Sequence, residues 1–344
     1  MNSPQISVVL PVYNAAGFLI ETLESISAQT FQDWELIAID DGSTDASLPV
    51  MQTYAKREPR MRIVTRPNKG LVATLNEGIS LAVGRWIARM DADDICLPER
   101  FAKQLAWLEK EKADICGGGI KRIGGHGGGY SWAFPTSHEG ICAWMLFRSA
   151  FSHPTIVLNR EIAKKFPYDQ AFAHSEDYEL WARMALAGVR MTNLPEDVLH
   201  YRIHAGQVSQ ARHDIQTDVR LKITADFWKN SPIAHDLVFR PCLVDERVPI
   251  SPADFSEVMQ SLRQLEARVT DTQGKAAIQQ HRVWFLYRSV NLGHALVMPE
   301  LRKLKVSAPK KLAVALLACF RAGGVIGYFR KAEWIRYLPL HWFF

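Results

Sequence analysis

Residues 85–94, RWIARMDADD, and residues 35–45, ELIAIDDGSTD, decide which fold the sequence predicts. Each segment begins as a short apolar run, which predicts a buried strand, and each run leads directly into aspartates. In open α/β sheets, ligands bind beyond the carboxyl ends of the strands. If both strands belong to one parallel sheet, we expect Asp41, Asp91 and Asp93 to lie along one rim of it.

The rest of the N-terminal third repeats the same pattern. Residues 6–10 and 61–65 are further strand-like runs, and residues 6–10 are followed by turn-forming residues. Apolar residues at helical spacing predict helices over residues 18–29, 46–57, 70–83 and 98–112. Strands alternating with helices predict parallel strands joined by right-handed crossovers, which is a doubly wound, mostly parallel, Rossmann-like α/β fold.

The middle of the chain is less regular. Residues 117–129 read GGGIKRIGGHGGG, which predicts a closely packed strand followed by a hairpin loop. A phosphate-binding loop is the weaker reading, because the segment has no GK[ST] ending and no helix start after it. Residues 172–186 predict a helix that begins near Ser175.

Strand signals stop after about residue 215, and four helices are predicted at residues 218–229, 252–269, 275–296 and 310–320. We therefore predict an α/β domain over residues 1–215 and a helical region over residues 216–344. Within the first domain, the regular part ends near residue 115 and the less regular part covers residues 116–215.

Composition limits the protein class. The 344 residues are 48% hydrophobic and 22% charged, with a net charge of +5, as in globular proteins. We find neither a signal peptide nor an uncharged apolar stretch of about 18 residues, and so expect a cytoplasmic protein. Five cysteines without CxxC spacing argue against a zinc site or a disulfide framework.

The segment Asp91-Ala92-Asp93-Asp94 is the sharpest chemical signal. Three carboxylates so close together repel one another unless a cation or hydrogen-bond donors compensate. Mg²⁺ and Mn²⁺ prefer oxygen ligands, so Asp93 is predicted to bind a divalent metal. For Asp94, an N-cap of the helix that follows Pro98 is an equal alternative.

A second acidic segment, Glu176-Asp177, opens the helix predicted near residue 175. Acids in a first helical turn interact favourably with the helix dipole, which is a sufficient structural explanation for one of them. Asp177 and Trp181 are four residues apart and share a helix face. A carboxylate beside an aromatic ring suits a general base next to a bound sugar, so we place Glu176 and Trp181 on the acceptor side.

Four other side chains are candidates for contacts with ligands. Asp41 suits a pyrimidine N–H or ribose hydroxyls, and the alternative for its loop is an Asx-turn. Lys69 precedes a helix and either meets phosphate or stays solvated. His204 is a candidate metal or phosphate contact, and His153 a candidate for the acceptor side, although a single histidine is more often structural.

Nine segments, in this order over residues 5–210, resemble the family 2 glycosyltransferases of the GT-A fold. They are ISVVLPVYN (6–14), QTF (29–31), ELIAIDDGSTD (35–45), NKGLVATLNEG (68–78), AVGRW (82–86), MDADDICLPER (90–100), HP (153–154), EDYELW (176–181) and YRIH (201–204).

The resemblance implies an inverting enzyme that moves a sugar from a nucleotide diphosphate, UDP by default, to an acceptor hydroxyl with Mn²⁺ or Mg²⁺. It makes residues 1–215 the catalytic domain, in which residues 1–115 are expected to bind the nucleotide-sugar and residues 116–215 to form the acceptor side. It implies these roles: base contacts for Pro11, Tyr13 and Asp41, ribose or metal surroundings for Asp91, metal ligation for Asp93 and general base for Asp177. The glycine-dense segment departs from the family pattern, which leaves the acceptor-side wall open.

The C-terminal segment, residues 302–344, carries nine Lys and Arg against one acid, Glu333, among Leu, Phe and Trp residues. This pattern is typical of helices that lie on an anionic membrane surface. It fits a peripheral enzyme on the cytoplasmic face of the inner membrane, with a lipid-linked saccharide as acceptor in polysaccharide biosynthesis. The alternative is an ordinary basic helical domain.

Three other functions fit the sequence less well. A non-catalytic nucleotide-sugar-binding partner of a membrane polysaccharide complex would need damaged motifs, and these are intact. A sugar-phosphate nucleotidyltransferase would have a glycine-rich basic loop where residues 11–14 read PVYN. Nucleic acid is an unsuitable partner, because the basic segment has no recognisable binding motif.

Overall fold

The structure, a computed structural model, describes residues 3–125, 129–204, 213–292 and 294–304. The chain divides into two compact units. The first holds the N-terminal residues up to Ile141 and the segment Ser149–Ile223, and the second holds Cys142–Arg148 and the residues from Thr224 onward. The division thus falls within a helix that begins near the predicted boundary, and a short internal segment joins the second unit.

Half of the sheet in the first unit is parallel, as predicted. Its strand order is β3-β2-β1-β4. The strands are β1 (Ile6–Val12), β2 (Trp34–Asp40), β3 (Met61–Thr65) and β4 (Trp86–Arg89), and the connecting helices are α1 (Leu19–Ser27), α2 (Ser47–Ala55) and α3 (Leu71–Leu81). Helices cover both faces of such a sheet, so β1 and β2 are almost continuously buried.

Beyond β4 the sheet is mixed, with the order β4-β8-β6-β9-β5. These strands are β5 (Ile95–Cys96), β6 (Ile115–Ile123), β7 (Ser131–Trp132), β8 (Val157–Asn159) and β9 (Met191–Arg202). β8 is antiparallel to β4 and β6, whereas β9 is parallel to β6 and antiparallel to β5. The fold is therefore α/β, as predicted, but its second half is less parallel than expected.

Glycines in β6 let it pack tightly against β9. A Cβ atom on Gly118 would lie 2.7 Å from Val198 Cγ2, and one on Gly117 would lie 2.2 Å from Asn193 Oδ1. The prediction of a closely packed strand followed by a hairpin is confirmed, since β7 pairs antiparallel with β6. Residues 126–128 of the glycine-rich segment lie outside the described residues.

The remaining α-helices of the described residues include every helix predicted between residues 98 and 296, although the one predicted over residues 275–296 ends at Arg288, and two further helices between residues 138 and 165 were not predicted. In chain order, the remaining α-helices are α4 (Arg100–Glu111), α5 (His138–Met145), α6 (Arg160–Lys165), α7 (Glu176–Leu186), α8 (His213–Asn230), α9 (Pro252–Arg268), α10 (Thr272–Arg288) and α11 (His294–Lys303). From Thr224 onward the described residues form helices and contain no strand, as predicted. Among the helices described, none is long and apolar enough to cross a membrane. The predicted membrane-binding segment lies, from residue 305 onward, outside the described residues.

Candidate active site

Three aspartates meet just after β4. One carboxylate oxygen from each of Asp91, Asp93 and Asp94 lies within 4.8 Å of the others. We call these three residues the carboxylate cluster. They converge because β4 ends at Arg89 and the chain turns before the short strand β5 begins at Ile95.

The carboxylate cluster has too few hydrogen-bond donors for its charge. Arg89, which is buried, forms an ion pair with Asp91. Burial raises the pKa of Asp91, although the Arg89 guanidinium acts in the opposite direction. Burial also holds the pKa of Asp94 well above its ordinary value, and the charges of Asp91 and Asp93 raise it further. Among the described residues, none donates a hydrogen bond to the buried Asp94 Oδ2.

The end of β9 closes this cluster from the other side. His204 Nε2 lies 2.8 Å from Asp93 Oδ2. The Arg202 backbone N–H donates to Asp94 Oδ1 at 2.9 Å, and Arg202 Nε donates to the Asp93 carbonyl at 2.8 Å. Asp94 is therefore a buried link to β9 and not the N-cap of α4, which is Glu99.

The donor set of this cluster suits a hard divalent cation. It combines carboxylate oxygens, one of them buried without a partner among the described residues, with the His204 imidazole. Such a surplus of negative charge in a partly buried site is compensated well by Mg²⁺ or Mn²⁺, which take oxygen ligands. The predicted ligands Asp93 and His204 lie side by side in this set.

The first turn of α7 supplies two further acids. Glu176 is buried, and burial raises its pKa. Burial raises the pKa of the half-buried Asp177 to about 7, with a contribution from the negative charge of Glu176. Arg89 acts against both shifts. Because Arg89 also pairs with Asp91, one guanidinium connects the carboxylate cluster electrostatically with the acids of α7.

His153 begins a short 3₁₀ turn beside α7, and its Nε2 lies 2.7 Å from the Tyr168 hydroxyl. Its ring packs edge-on against Trp181 at 6.0 Å between centroids. The Trp181 side chain is fully buried, and its indole forms part of the surface on which the His153 ring packs. The prediction that the Trp181 ring lies open beside a bound sugar is therefore wrong. The spacing places Trp181 on the same helix face as Asp177, but other side chains cover its ring.

The surroundings of Asp41 also differ from its predicted role as a direct contact to a pyrimidine or a ribose. Its carboxylate accepts hydrogen bonds from the backbone N–H groups of Lys69 and Gly70, each at 2.9 Å, and pairs with Arg66. Asp41 is buried, and it holds the loop between β3 and α3 in place. Arg66 also binds Glu77 at 2.6 Å. The Lys69 side chain is exposed and forms no ion pair with a described residue.

Strand β1 lies between β2, which leads to Asp41, and β4, which leads to the carboxylate cluster. Pro11 is half-buried, and Tyr13 is 54% exposed, which leaves its ring available for a planar ligand. The Asn14 side chain accepts from the Thr44 backbone N–H at 2.8 Å. This bond joins the loop after β1 to the loop after β2, so the two loops form a common surface.

Sequence reasoning missed two residues of the site. Arg89 had a usable signal, because a charged residue in an otherwise apolar strand needs a buried partner. Tyr168 gave no signal, since it follows Pro167 in an irregular segment and its contact with His153 arises only from the tertiary fold.

Known proteins resemble this chain in sequence and in fold. The profile "Glycosyl transferase family 2" matches residues 7–167. An uncharacterised glycosyltransferase of Haemophilus influenzae is 32% identical over 64% of this chain and 72% of its own length. The amylovoran biosynthesis glycosyltransferase AmsE of Erwinia amylovora is 30% identical over 62% of this chain and 83% of its own length. The O-antigen biosynthesis glycosyltransferase WbnJ of Escherichia coli is 32% identical over 58% and 80%.

Two solved structures share the architecture at low sequence identity. S. aureus TarS 1-349 in complex with UDP-GlcNAc superposes with a TM-score of 0.54 at 17% identity, over 93% of this chain and 92% of that one. The mannosyltransferase PcManGT from Pyrobaculum calidifontis, in complex with GDP-Man and Mn²⁺, gives 0.51 at 16%, over 96% and 89%. These matches show a GT-A-like fold. The sequence relatives, together with the family profile, show that the chain belongs to glycosyl transferase family 2 and is a glycosyltransferase.

Proposed function

We propose that this enzyme transfers a sugar from a nucleotide diphosphate sugar to a saccharide hydroxyl by a single inverting displacement that depends on a divalent metal. The observation that carries the proposal is the position of Arg89. It pairs with Asp91 of the carboxylate cluster, and its charge acts on Asp177, whose pKa is about 7. A site for a cation and a carboxyl group suited to act as base at neutral pH are thereby neighbours.

On the donor side, Asp93 would hold the metal with His204, and Asp91 would lie beside it. When bound, Mn²⁺ or Mg²⁺ neutralises the charge of the diphosphate leaving group. Arg202 holds this cluster in place by its bonds to the Asp93 carbonyl and to the Asp94 carboxylate. The solved relatives support a nucleotide-sugar donor, since they are complexes with UDP-GlcNAc and with GDP-Man. A UDP-sugar is the donor we propose.

On the acceptor side, Asp177 would accept the proton of the attacking hydroxyl. The acceptor oxygen forms the new bond to the anomeric carbon, while the bond from that carbon to the diphosphate oxygen breaks. The nucleoside diphosphate leaves with the electron pair. Because attack and departure occur on opposite faces, an α-linked donor gives a β-linked product. Burial beside Glu176 makes Asp177 basic enough for this role near pH 7.

The nucleotide itself would lie across the ends of β1 and β2. Tyr13 offers an exposed ring and Pro11 an apolar surface beside it. Asp41 holds the backbone at Lys69 and Gly70, so it would act on the nucleotide partly through that loop. Lys69, exposed on the same loop, is placed in our proposal next to phosphate.

The pathway we propose is assembly of a cell-envelope polysaccharide. Relatives named for amylovoran and O-antigen biosynthesis support it. A lipid-linked saccharide is the acceptor we propose, at the cytoplasmic face of the membrane, and the basic, aromatic residues 305–344 are its sequence basis. Flotation with vesicles of anionic lipid tests this part: a full-length protein that stays at the bottom of the gradient would argue against it.

The reaction is tested by release of nucleoside diphosphate from UDP-, GDP- and dTDP-sugars, with Mn²⁺, Mg²⁺ or EDTA. The acceptors are octyl glucoside, octyl galactoside, octyl N-acetylglucosaminide and a bacterial membrane lipid extract. We expect turnover with one donor, which EDTA abolishes, and a product of inverted configuration.

The matched variants are Asp177→Asn and Glu179→Gln. Both remove one carboxylate charge from α7, but Glu179 forms an ion pair with Arg183 and belongs to no proposed site. Loss of transfer in Asp177→Asn alone supports the mechanism. Full activity in EDTA, or a retained configuration, contradicts it. Nucleotide-sugar binding without any transfer would favour the non-catalytic partner.

A further inference from the structure

The buried pair of His153 and Tyr168 has a fixed geometry beside the proposed base. His153 packs on Trp181, which lies one helical turn after Asp177 on the same face of α7. The charges of Asp177 and Glu176 act on the pKa of Tyr168, and Arg89 acts on the pKa values of both His153 and Asp177, so the pair lies in the surroundings of these two acids. The imidazole is half-buried, whereas the Tyr168 side chain below it is almost fully covered.

Tyr168 is held at this position from a distant part of the chain. The Asn76 side chain on α3 donates to the Tyr168 carbonyl and accepts from the Tyr168 N–H, each at 2.9 Å. These two bonds fix the main chain of Tyr168, and so the direction of its phenol, without any substrate. The hydroxyl group is thus a preset partner for His153.

Both members of the pair are neutral. Burial lowers the pKa of His153 well below its ordinary value, and the nearby Arg89 lowers it further. Burial also raises the pKa of Tyr168. A neutral imidazole has one nitrogen that donates and one that accepts. In the hydrogen bond between the Tyr168 hydroxyl and His153 Nε2, the donor is therefore either the phenol or the imidazole.

The phenol is the better donor in this arrangement. Within the described residues, the Tyr168 hydroxyl forms its hydrogen bond with His153 and with no second side chain. If His153 Nε2 were protonated, the phenol proton would have no acceptor in a buried place, which costs free energy. With the phenol donating to Nε2, the ring proton of His153 lies on Nδ1.

We propose that Tyr168 is a positioning residue that keeps His153 in the Nδ1–H form, so that His153 donates a hydrogen bond to a hydroxyl oxygen of the acceptor sugar next to the reacting hydroxyl. This inference rests on the proposed function. A sugar hydroxyl suits the site better than a phosphate does, because Arg89, the cation whose charge acts on His153, is already paired with Asp91, and the charges of Glu176 and Asp177 beside Tyr168 repel an anion. A neutral imidazole also binds without forming an ion pair with Asp177.

The tautomer is tested directly by ¹⁵N NMR of protein labelled at histidine. The His153 signals are assigned by their loss in His153→Gln. We expect a protonated Nδ1 and an unprotonated Nε2 in the wild type, and a mixture of both tautomers in Tyr168→Phe. A wild-type His153 protonated at Nε2 overturns the proposal.

Kinetics test the consequence for the acceptor. For Tyr168→Phe we expect the acceptor KM to rise about five- to thirtyfold, the value of one hydrogen bond, with donor KM within about twofold of the wild type. The probe is the octyl glycoside or lipid extract that the wild-type enzyme glycosylates fastest. Tyr54→Phe is the control, since the buried Tyr54 hydroxyl donates to Ser27 at 2.9 Å, away from the site.

A double variant tests whether Tyr168 acts only through His153. The double variant His153→Phe/Tyr168→Phe should have the acceptor KM of His153→Phe alone, because Tyr168 then has nothing to orient. An additive increase, or an equal rise of donor and acceptor KM, overturns the proposal. If the wild type transfers no sugar, the proposed function fails, and the NMR result still decides the tautomer.

Discussion

Asp41 and Asp91 follow two strands of the same parallel sheet, β2 and β4, yet their surroundings differ. Asp41 receives two backbone N–H groups and the Arg66 guanidinium, and its side chain is 5% exposed. Asp91 has the Arg89 guanidinium and two more carboxylates as neighbours, and its side chain is 30% exposed. One acid has its hydrogen-bonding capacity filled by the protein, and the other does not.

Structural and reactive carboxylates of this protein can be told apart by the hydrogen-bond donors around them. Burying a charge is costly unless donors surround it, so an acid that only supports the fold acquires donors. Acids left with raised pKa values, such as Asp94 and Asp177, reduce stability and persist where a ligand or a reaction needs them. Removing carboxylates of the two kinds should therefore have opposite effects on stability and activity.

The largest effect is expected for Asp177→Asn. Loss of a general base lowers kcat by about 10²- to 10⁴-fold. The unfolding free energy at pH 8 should rise, because a buried, repelled charge is removed. Steady-state kinetics and urea unfolding measure the two quantities. A variant that is both inactive and less stable would place Asp177 with Asp41 among the structural acids.

The next effect concerns Asp93→Asn. We expect the Mn²⁺ concentration for half-maximal activity to increase at least tenfold, since even outer partners of metal ligands are worth about ten- to a hundredfold. In EDTA, the variant should be at least as stable as the wild type, because one of three repelling charges is gone. Unchanged metal activation would exclude Asp93 as a ligand. The exposed Glu109 on α4, changed to Gln, is the control.

The pH dependence of activity and of stability tests the raised pKa of Asp177 directly. Because the pKa of Asp177 is raised to about 7, kcat/KM should fall about tenfold per pH unit below 7. The contribution of Asp177 to the free energy of unfolding changes with pH in the opposite direction: it falls as the pH rises. The folded state favours the protonated acid, so ionisation between pH 4 and 7 destabilises wild type relative to Asp177→Asn. That difference should be largest above pH 7 and vanish near pH 4. A flat difference would contradict the raised pKa.

The smallest effect on catalysis, but a clear loss of stability, is expected for Asp41→Asn. The amide accepts fewer bonds from the Lys69 and Gly70 N–H groups and leaves Arg66 without its opposite charge. We expect a loss of about 1–3 kcal/mol in the free energy of unfolding, measured by urea denaturation. The kcat at saturating donor should stay within about threefold of the wild type. A stabilised variant would remove the distinction between the two acids.

Much of the parallel half of the fold was predictable. Strands with both faces covered read as continuous apolar runs, as β1 and β2 do. The edge strand β3 also has the predicted bounds, Met61–Thr65. The mixed half was not, because β5 has two residues and β8 three, too few for any periodicity. Their pairing partners are set by tertiary contacts, such as the approach of β9 to Gly117 and Gly118.

The candidate site was predictable in its residue types more than in their surroundings. Spacing placed Asp177 and Trp181 on one face of α7, but it carries no information about what covers that face. Likewise, an aspartate after a strand looks the same whether a neighbouring loop supplies donors, as at Asp41, or further acids, as at Asp91. Tyr168 meets His153 only through long-range packing, so no local pattern identifies it.

The contact between His204 and Asp93 has a consequence for how the enzyme is made. The two residues are 111 positions apart, and β9, which carries the chain to His204, pairs with β6 and β5. Synthesis proceeds from the N-terminus, at about 5–20 residues per second. A nascent chain therefore exposes its three aspartates for several seconds before the imidazole emerges from the ribosome. A growing polypeptide therefore acquires this contact only after β9 has emerged and paired with β6 and β5.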